Sequence, residues 1–225
     1  MFIVNLIVFI LVLGIIILIH EFGHFYFAKR AGILCHEFSI GMGPALYQKR
    51  KDETIYSIRG IPIGGYVAMA GESVTDALIR KGQKIGLNRT EQGVVKEILL
   101  TDRVASEVTG QVIDFDLYGK DLDTLYIEIE TSEGTRRYDV LRDAVYVISE
   151  KRKMWITPAE KSFESKPLTQ RFLVIFAGPL MNFILAFLLF FIIGFFVTKP
   201  NLDDNEVGSV ASGLPADTIG LTEGS

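Results

Sequence analysis

The residues best suited to chemistry stand together at His20-Glu21-Phe22-Gly23-His24. On a helix each residue advances about 100°, so His20 and His24 share one face, about 40° apart. Two imidazoles one turn apart can hold one zinc ion, and Glu21, about 60° from His24, can reach a water at that ion. Zinc lowers the pKa of a bound water from about 15.7 towards about 7. The carboxylate would then act as general base, and the hydroxide would attack a peptide carbonyl. A catalytic zinc site normally takes three protein ligands plus water, so the motif supplies two of three. The remaining histidine, His36, lies beyond Lys29-Arg30, and a surface or strand position explains it without a metal.

The motif ends a long apolar run. Residues 1–19 carry no charge, and Phe2 to Ile19 is broken only by Asn5 and Gly14. Roughly 20 apolar residues cross the hydrocarbon of a bilayer, so residues 1–28 are expected to form a first transmembrane helix. A cleaved signal peptide fits less well, because no basic stretch precedes the run and no small-x-small site follows it. A charge at mid-bilayer costs roughly 3 kcal/mol on insertion scales, and a metal would compensate Glu21 there. The alternatives are a polar cluster that anchors helix contacts near the interface, or a motif helix outside the bilayer. A second uncharged run, 172–198, has Asn182 as its only polar side chain up to Val197. It is too long for a soluble core helix, and Pro179 is tolerable in a membrane bundle. Asn182 suits a hydrogen bond to another helix or to a substrate backbone better than zinc ligation.

Charge sets the orientation. Of 23 basic residues, only Lys199 lies outside 29–171, and Asp203, Asp204 and Glu206 follow it. The positive-inside rule places 29–171 in the cytoplasm and the N-terminus outside. The single Cys35 excludes an intramolecular disulfide, and the net charge of −4 offers no nucleic-acid footprint.

Between the spans the pattern is β. Residues 37–71 read as strands and tight turns, with a turn at Lys51-Asp52-Glu53. Gly60 to Gly71 is apolar, glycine-rich and too short to span; it reads equally as a membrane-seated hairpin or an ordinary one. Residues 72–90 read as polar loop with at most a short helix. From Val95 strands return: Ile113, Phe115 and Leu117 alternate with aspartates, and Leu125, Ile127 and Ile129 alternate with Tyr126, Glu128 and Glu130. A turn at Ser132–Thr135 leads into Arg136–Leu141 and Ala144–Ile148. The expected class is an integral membrane α-helical protein with two transmembrane helices, a membrane-associated β-hairpin at 29–71 and a small antiparallel β-rich cytoplasmic domain at 72–171.

These residues resemble the bacterial site-two protease family, the zinc intramembrane metalloproteases of the RseP type. The resemblance rests on HEFGH followed by FAKRAGI, FSIGMGP at 38–44, IPIGGYVAMAGE at 61–72 and FAGPLMNF at 176–183, in this order and spacing. It implies that His20 and His24 bind Zn2+ and that Glu21 is the catalytic base. It implies that the hairpin containing Gly64, Gly65 and Tyr66 pairs with an unwound substrate, with Asn182 also on the substrate side. The family's Gly-Pro-x-x-Asn signature maps to Gly178, Pro179 and Asn182. Val207–Ser225, within the extracytoplasmic stretch 199–225, resembles the opening of a PDZ domain. The family's third zinc ligand, an Asp in a later helix, has no counterpart here, which suggests a truncated chain.

The expected activity is endoproteolysis of transmembrane segments: single-pass membrane proteins such as anti-sigma factors, or signal-peptide remnants. The location is the bacterial cytoplasmic membrane, with the lipid bilayer as a partner and no nucleic acid. The alternative is a non-catalytic membrane scaffold or an inactive fragment.

Overall fold

The computed structural model describes residues 1–72, 77–120, 123–150, 152–196, 209–214 and 218–220. Two helices are long and apolar enough to cross a membrane, α1 (Phe2–Arg30) and α2 (Leu168–Phe196). Neither has an acidic residue in its first turn. Lys29 and Arg30 end α1, where positive charge suits the helix's negative pole. Large apolar side chains stand exposed along both helices, among them Phe2, Phe9, Phe187 and Phe190. Such a surface suits a helix solvated by lipid.

Two strands follow α1: β1 (Cys35–Lys51) and β2 (Thr54–Met69). Asp52, with φ of 54°, makes the turn between them, at the expected place. The pair is antiparallel but folded. Arg50 faces Ile55, and Phe38 faces both Val67 and Tyr56. Glu37–Ile40 thus lies between two stretches of β2, beside Ile55–Ile58 and beside Gly65–Ala68. Gly60–Met69 is therefore not a hairpin by itself but the second half of β2. Its backbone closes on α1 at Gly64, where a Cβ would stand 3.0 Å from Ile17. The other face of contact is aromatic: Phe25 of α1 meets Phe38 and Tyr56. At the far end of the ribbon Ile40, Met42, Leu46, Ile61 and Ile63 are exposed, Leu46 at 73%.

The second sheet has six strands: β3 (Lys84–Arg89), β4 (Val95–Leu99), β5 (Val108–Asp116), β6 (Tyr126–Thr131), β7 (Gly134–Ser149) and β8 (Arg152–Trp155). The order is β4-β3-β5-β6-β7-β8, and β4 also pairs with β7. The ring closes through the β4–β7 pair, and β8 lies outside it as an edge strand against β7. Ile85, Leu87, Val95, Ile98, Leu125, Ile127 and Ile129 fill it, each 2% exposed or less.

Four expectations need correction. Residues 84–89 are a strand, not loop: Ile85 and Leu87 point inward between polar neighbours. The domain is not wholly antiparallel, because β4 and β7 run parallel. Ile113 is not part of the inward set: the register shifts between Val112 and Asp114, so Val112 is buried and Ile113 exposed. The stretches expected at 136–141 and 144–148 are one strand, β7.

The chain divides into two units, 1–184 and 185–225. The site lies in the first. Of the second, the end of α2 and short segments at 209–214 and 218–220 are described; most of the stretch resembling a PDZ opening lies outside the described residues.

Candidate metal centre and active site

The site begins where α1 and α2 cross. Gly23 is buried there, and a Cβ on it would strike the Ala177 carbonyl and Met181. Gly178 of α2 faces the two histidines: a Cβ on it would reach the Nε2 atoms of both, 2.7 Å from that of His20. Small residues on both helices let the backbones approach, as membrane helix contacts require.

The histidine rings converge. Their Nε2 atoms are 3.1 Å apart. Two nitrogen ligands of one tetrahedral zinc, each about 2.0–2.1 Å from it, stand about 3.3–3.4 Å apart, so the spacing suits a shared ion. The tautomers agree. His24 Nδ1 lies 2.7 Å from the Val174 carbonyl oxygen, which can only accept. Nδ1 therefore carries the proton and Nε2 the lone pair a metal needs. His20 Nδ1 is 3.2 Å from the Asn182 amide nitrogen, while Asn182 Oδ1 is buried without a partner. Rotating that amide by half a turn makes Oδ1 the acceptor from Nδ1–H and frees His20 Nε2 as well. Two facing lone pairs repel unless a cation lies between them, so this donor set fits a metal. Among the described residues no third His, Cys, Asp or Glu joins them.

Glu21 and His24 line one cavity of about 410 Å³, with Val67 and Met69 of β2, Glu72, and Val174 and Ile175 of α2. Strand alternation sends Val67 and Met69 into this space and Tyr66 and Ala68 to the opposite face. Tyr66 accepts a hydrogen bond from Arg59 there (2.6 Å). Gly65 packs on the Ser39 carbonyl and Gly64 on Ile17. Of the positions named for substrate contact, Asn182 thus stands beside His20, while Gly64, Gly65 and Tyr66 do not line the Glu21 cavity. Their neighbours Val67 and Met69 do, and so does Glu72, which closes the IPIGGYVAMAGE run; no sequence signal singled these three out. Val174 acts through its carbonyl, which no side-chain pattern reveals. His36 lies apart, 3.3 Å from Thr157 Oγ1, and burial holds its pKa below the usual value.

A converging His pair with an adjacent Glu, on an apolar helix crossed by a second one, is a site of the metallopeptidase type. The chain belongs to peptidase family M50, whose family model matches residues 8–219. It is similar to "Zinc metalloprotease RasP" of Shouchella clausii, 37% identical over 220 residues covering 98% of this chain and 52% of that protein. "Probable protease eep" of Enterococcus faecalis is 43% identical over 225 residues, 97% of this chain and 53% of that one. "Zinc metalloprotease RasP" of Oceanobacillus iheyensis is 36% identical, with 97% and 51% covered. The chain spans about half the length of the curated relatives it matches.

Proposed function

We propose that this chain carries the zinc-holding part of an intramembrane metalloendopeptidase, with His20 and His24 as ligands, Glu21 as general base and the third ligand from outside the described residues. The observation that carries the reading is the convergence of the two Nε2 atoms, 3.1 Å apart on an apolar helix, beside the cavity lined by Glu21. In this reading α1 and α2 span the bacterial cytoplasmic membrane and residues 29–171 lie in the cytoplasm. The folded β1–β2 ribbon dips into the bilayer with its exposed apolar end, and 72–171 forms a cytoplasmic domain.

Bound zinc would supply Lewis acidity, acidifying a water and polarising a carbonyl. The chain's own residues do the rest. Val174 and Asn182 hold the imidazoles in the required tautomer. Glu21 takes a proton from the attacking water on its carboxylate and returns it to the leaving amine. A helical substrate shields its peptide bonds, so it must unwind to be cut. The second half of β2 has no strand on its other side among the described residues, and Val67 and Met69 line the cavity. An unwound substrate can pair along that edge. Single-pass membrane proteins or signal-peptide remnants are the substrate class.

The test is Glu21→Gln, with a co-expressed single-pass substrate tagged on both sides of its span. Cleavage should fall at least about 10²-fold, the usual contribution of a general base, with protein level and bound zinc unchanged. Unchanged cleavage would return the scaffold reading.

A further inference from the structure

One unassigned feature of the first unit is a cavity of about 690 Å³ on the face of the β1–β2 ribbon away from α1, closed by β8. Its floor is internally neutralised. Arg59 pairs with Glu37 at 2.7 Å and also donates to Tyr66 and to the Gly43 carbonyl. Glu53 is held by Lys161, and Lys153 by Glu97 at 2.5 Å. The mouth is not neutralised. Arg50 stacks over Trp155, 4.6 Å from the ring centroid, and donates to a backbone carbonyl. Arg152 lines the same cavity, and among the described residues neither arginine has a carboxylate partner. Two buried polar atoms of the lining, His36 Nδ1 and Arg59 Nε, also lack partners.

Position narrows the ligand. Lys29, at the end of α1, reaches Thr54 at the base of the ribbon's turn, 3.4 Å away. Arg50 therefore stands at the level where α1 leaves the bilayer. From Arg50, β1 runs back through Tyr47, Leu46 and Ala45, all exposed, and Ala45 itself lines the cavity. A ligand that satisfies both surfaces has an anionic head and an apolar body.

We infer that this cavity binds the headgroup of an anionic phospholipid, its phosphate on Arg50 and Arg152 and its acyl chains along Ala45–Tyr47. Guanidinium groups suit phosphate oxygens, and the aromatic face of Trp155 orients Arg50 for them. The inference rests on the membrane placement proposed above.

Trp155 is the only tryptophan in the chain, so its fluorescence reports on this cavity alone. The protein, purified in nonionic detergent, is titrated with phosphatidylglycerol, with phosphatidylcholine and with inorganic phosphate. A saturable change with phosphatidylglycerol is expected, with neither of the others matching it. The R50A/R152A protein should need at least tenfold more lipid. Arg152 is exposed and, among the described residues, has no carboxylate partner, so Arg152→Glu tests the same point without disturbing the fold and should weaken binding similarly. Equal responses to both lipids, or an unaltered response in these variants, would overturn the inference. A matching response to inorganic phosphate would assign the site to a soluble anion and overturn the lipid. Flotation with vesicles separates the two readings. Failure of the headgroup site leaves flotation intact, whereas failure of the membrane placement abolishes it for both lipids.

Discussion

At the scale of single residues, the site depends on what is missing as much as on what is present. Gly178 sits in the middle of α2, where Ala would be preferred by about 1 kcal/mol on helix propensity. Here sterics wins, because a Cβ would enter the space between the two Nε2 atoms. Gly178→Ala should therefore raise helix stability slightly and lower zinc affinity at least tenfold, a change comparable to losing an orienting partner of a ligand. Zinc content by elemental analysis beside thermal melting checks both halves. Retained zinc would mean that the rings can turn aside and still converge. Glu37, near the start of β1, shows the same dependence on neighbours. Burial alone would raise its pKa, but hydrogen bonds from Ser57, Tyr66 and Arg59 outweigh burial and hold it below the ordinary carboxylate value. Its ion pair with Arg59 thus stabilises the ribbon above the ordinary carboxylate range. That stability is lost only as pH falls through the depressed value.

At the scale of elements, the closed sheet is a separate core from the site. Ile127 is fully buried at its centre, among Leu125, Ile129 and Tyr146. Ile127→Ala should cost about 2–5 kcal/mol in denaturant unfolding of the sheet, as large-to-small core changes do. Zinc content should not change, since no contact of His20 or His24 involves this core. Both helices were readable from sequence because their signal is local: length, absence of charge and basic ends. Leu125, Ile127 and Ile129 were readable because one face of β6 is buried and period two survives. β3 was not, because two apolar residues around Gly86 are too short a pattern. The bulge in β5 inverted the alternation at Ile113, and the parallel β4–β7 pair joins segments far apart in sequence. The site divides in the same way. His20, Glu21 and His24 lie within five residues, so helical period alone brings them together. Val174 is 150 residues from His24, and only the fold shows that its carbonyl sets the ring.

At the scale of the whole molecule, the proposed orientation rests on charge, and the chain offers a clean way to measure it. All but one of the 23 basic residues lie within 29–171, and the proposed topology therefore puts that stretch on the cytoplasmic side. The native thiol does not interfere with cysteine mapping. Cys35 is fully buried, and burial pushes its pKa up to about 12. Only the thiolate reacts with a maleimide, so at neutral pH Cys35 is almost inert. A cysteine can therefore be introduced into the unaltered chain. Ser132→Cys, on the exposed turn between β6 and β7, should react with a membrane-impermeant maleimide only after the membrane is permeabilised. Phe2→Cys, at the exposed start of α1, should react in intact spheroplasts. The reverse pattern would place the closed sheet outside and turn the site over. The His pair would then open towards the outer face, and the basic residues around the ribbon turn would no longer meet the cytoplasmic leaflet. Both the proposed protease topology and the headgroup site depend on Ser132→Cys staying protected.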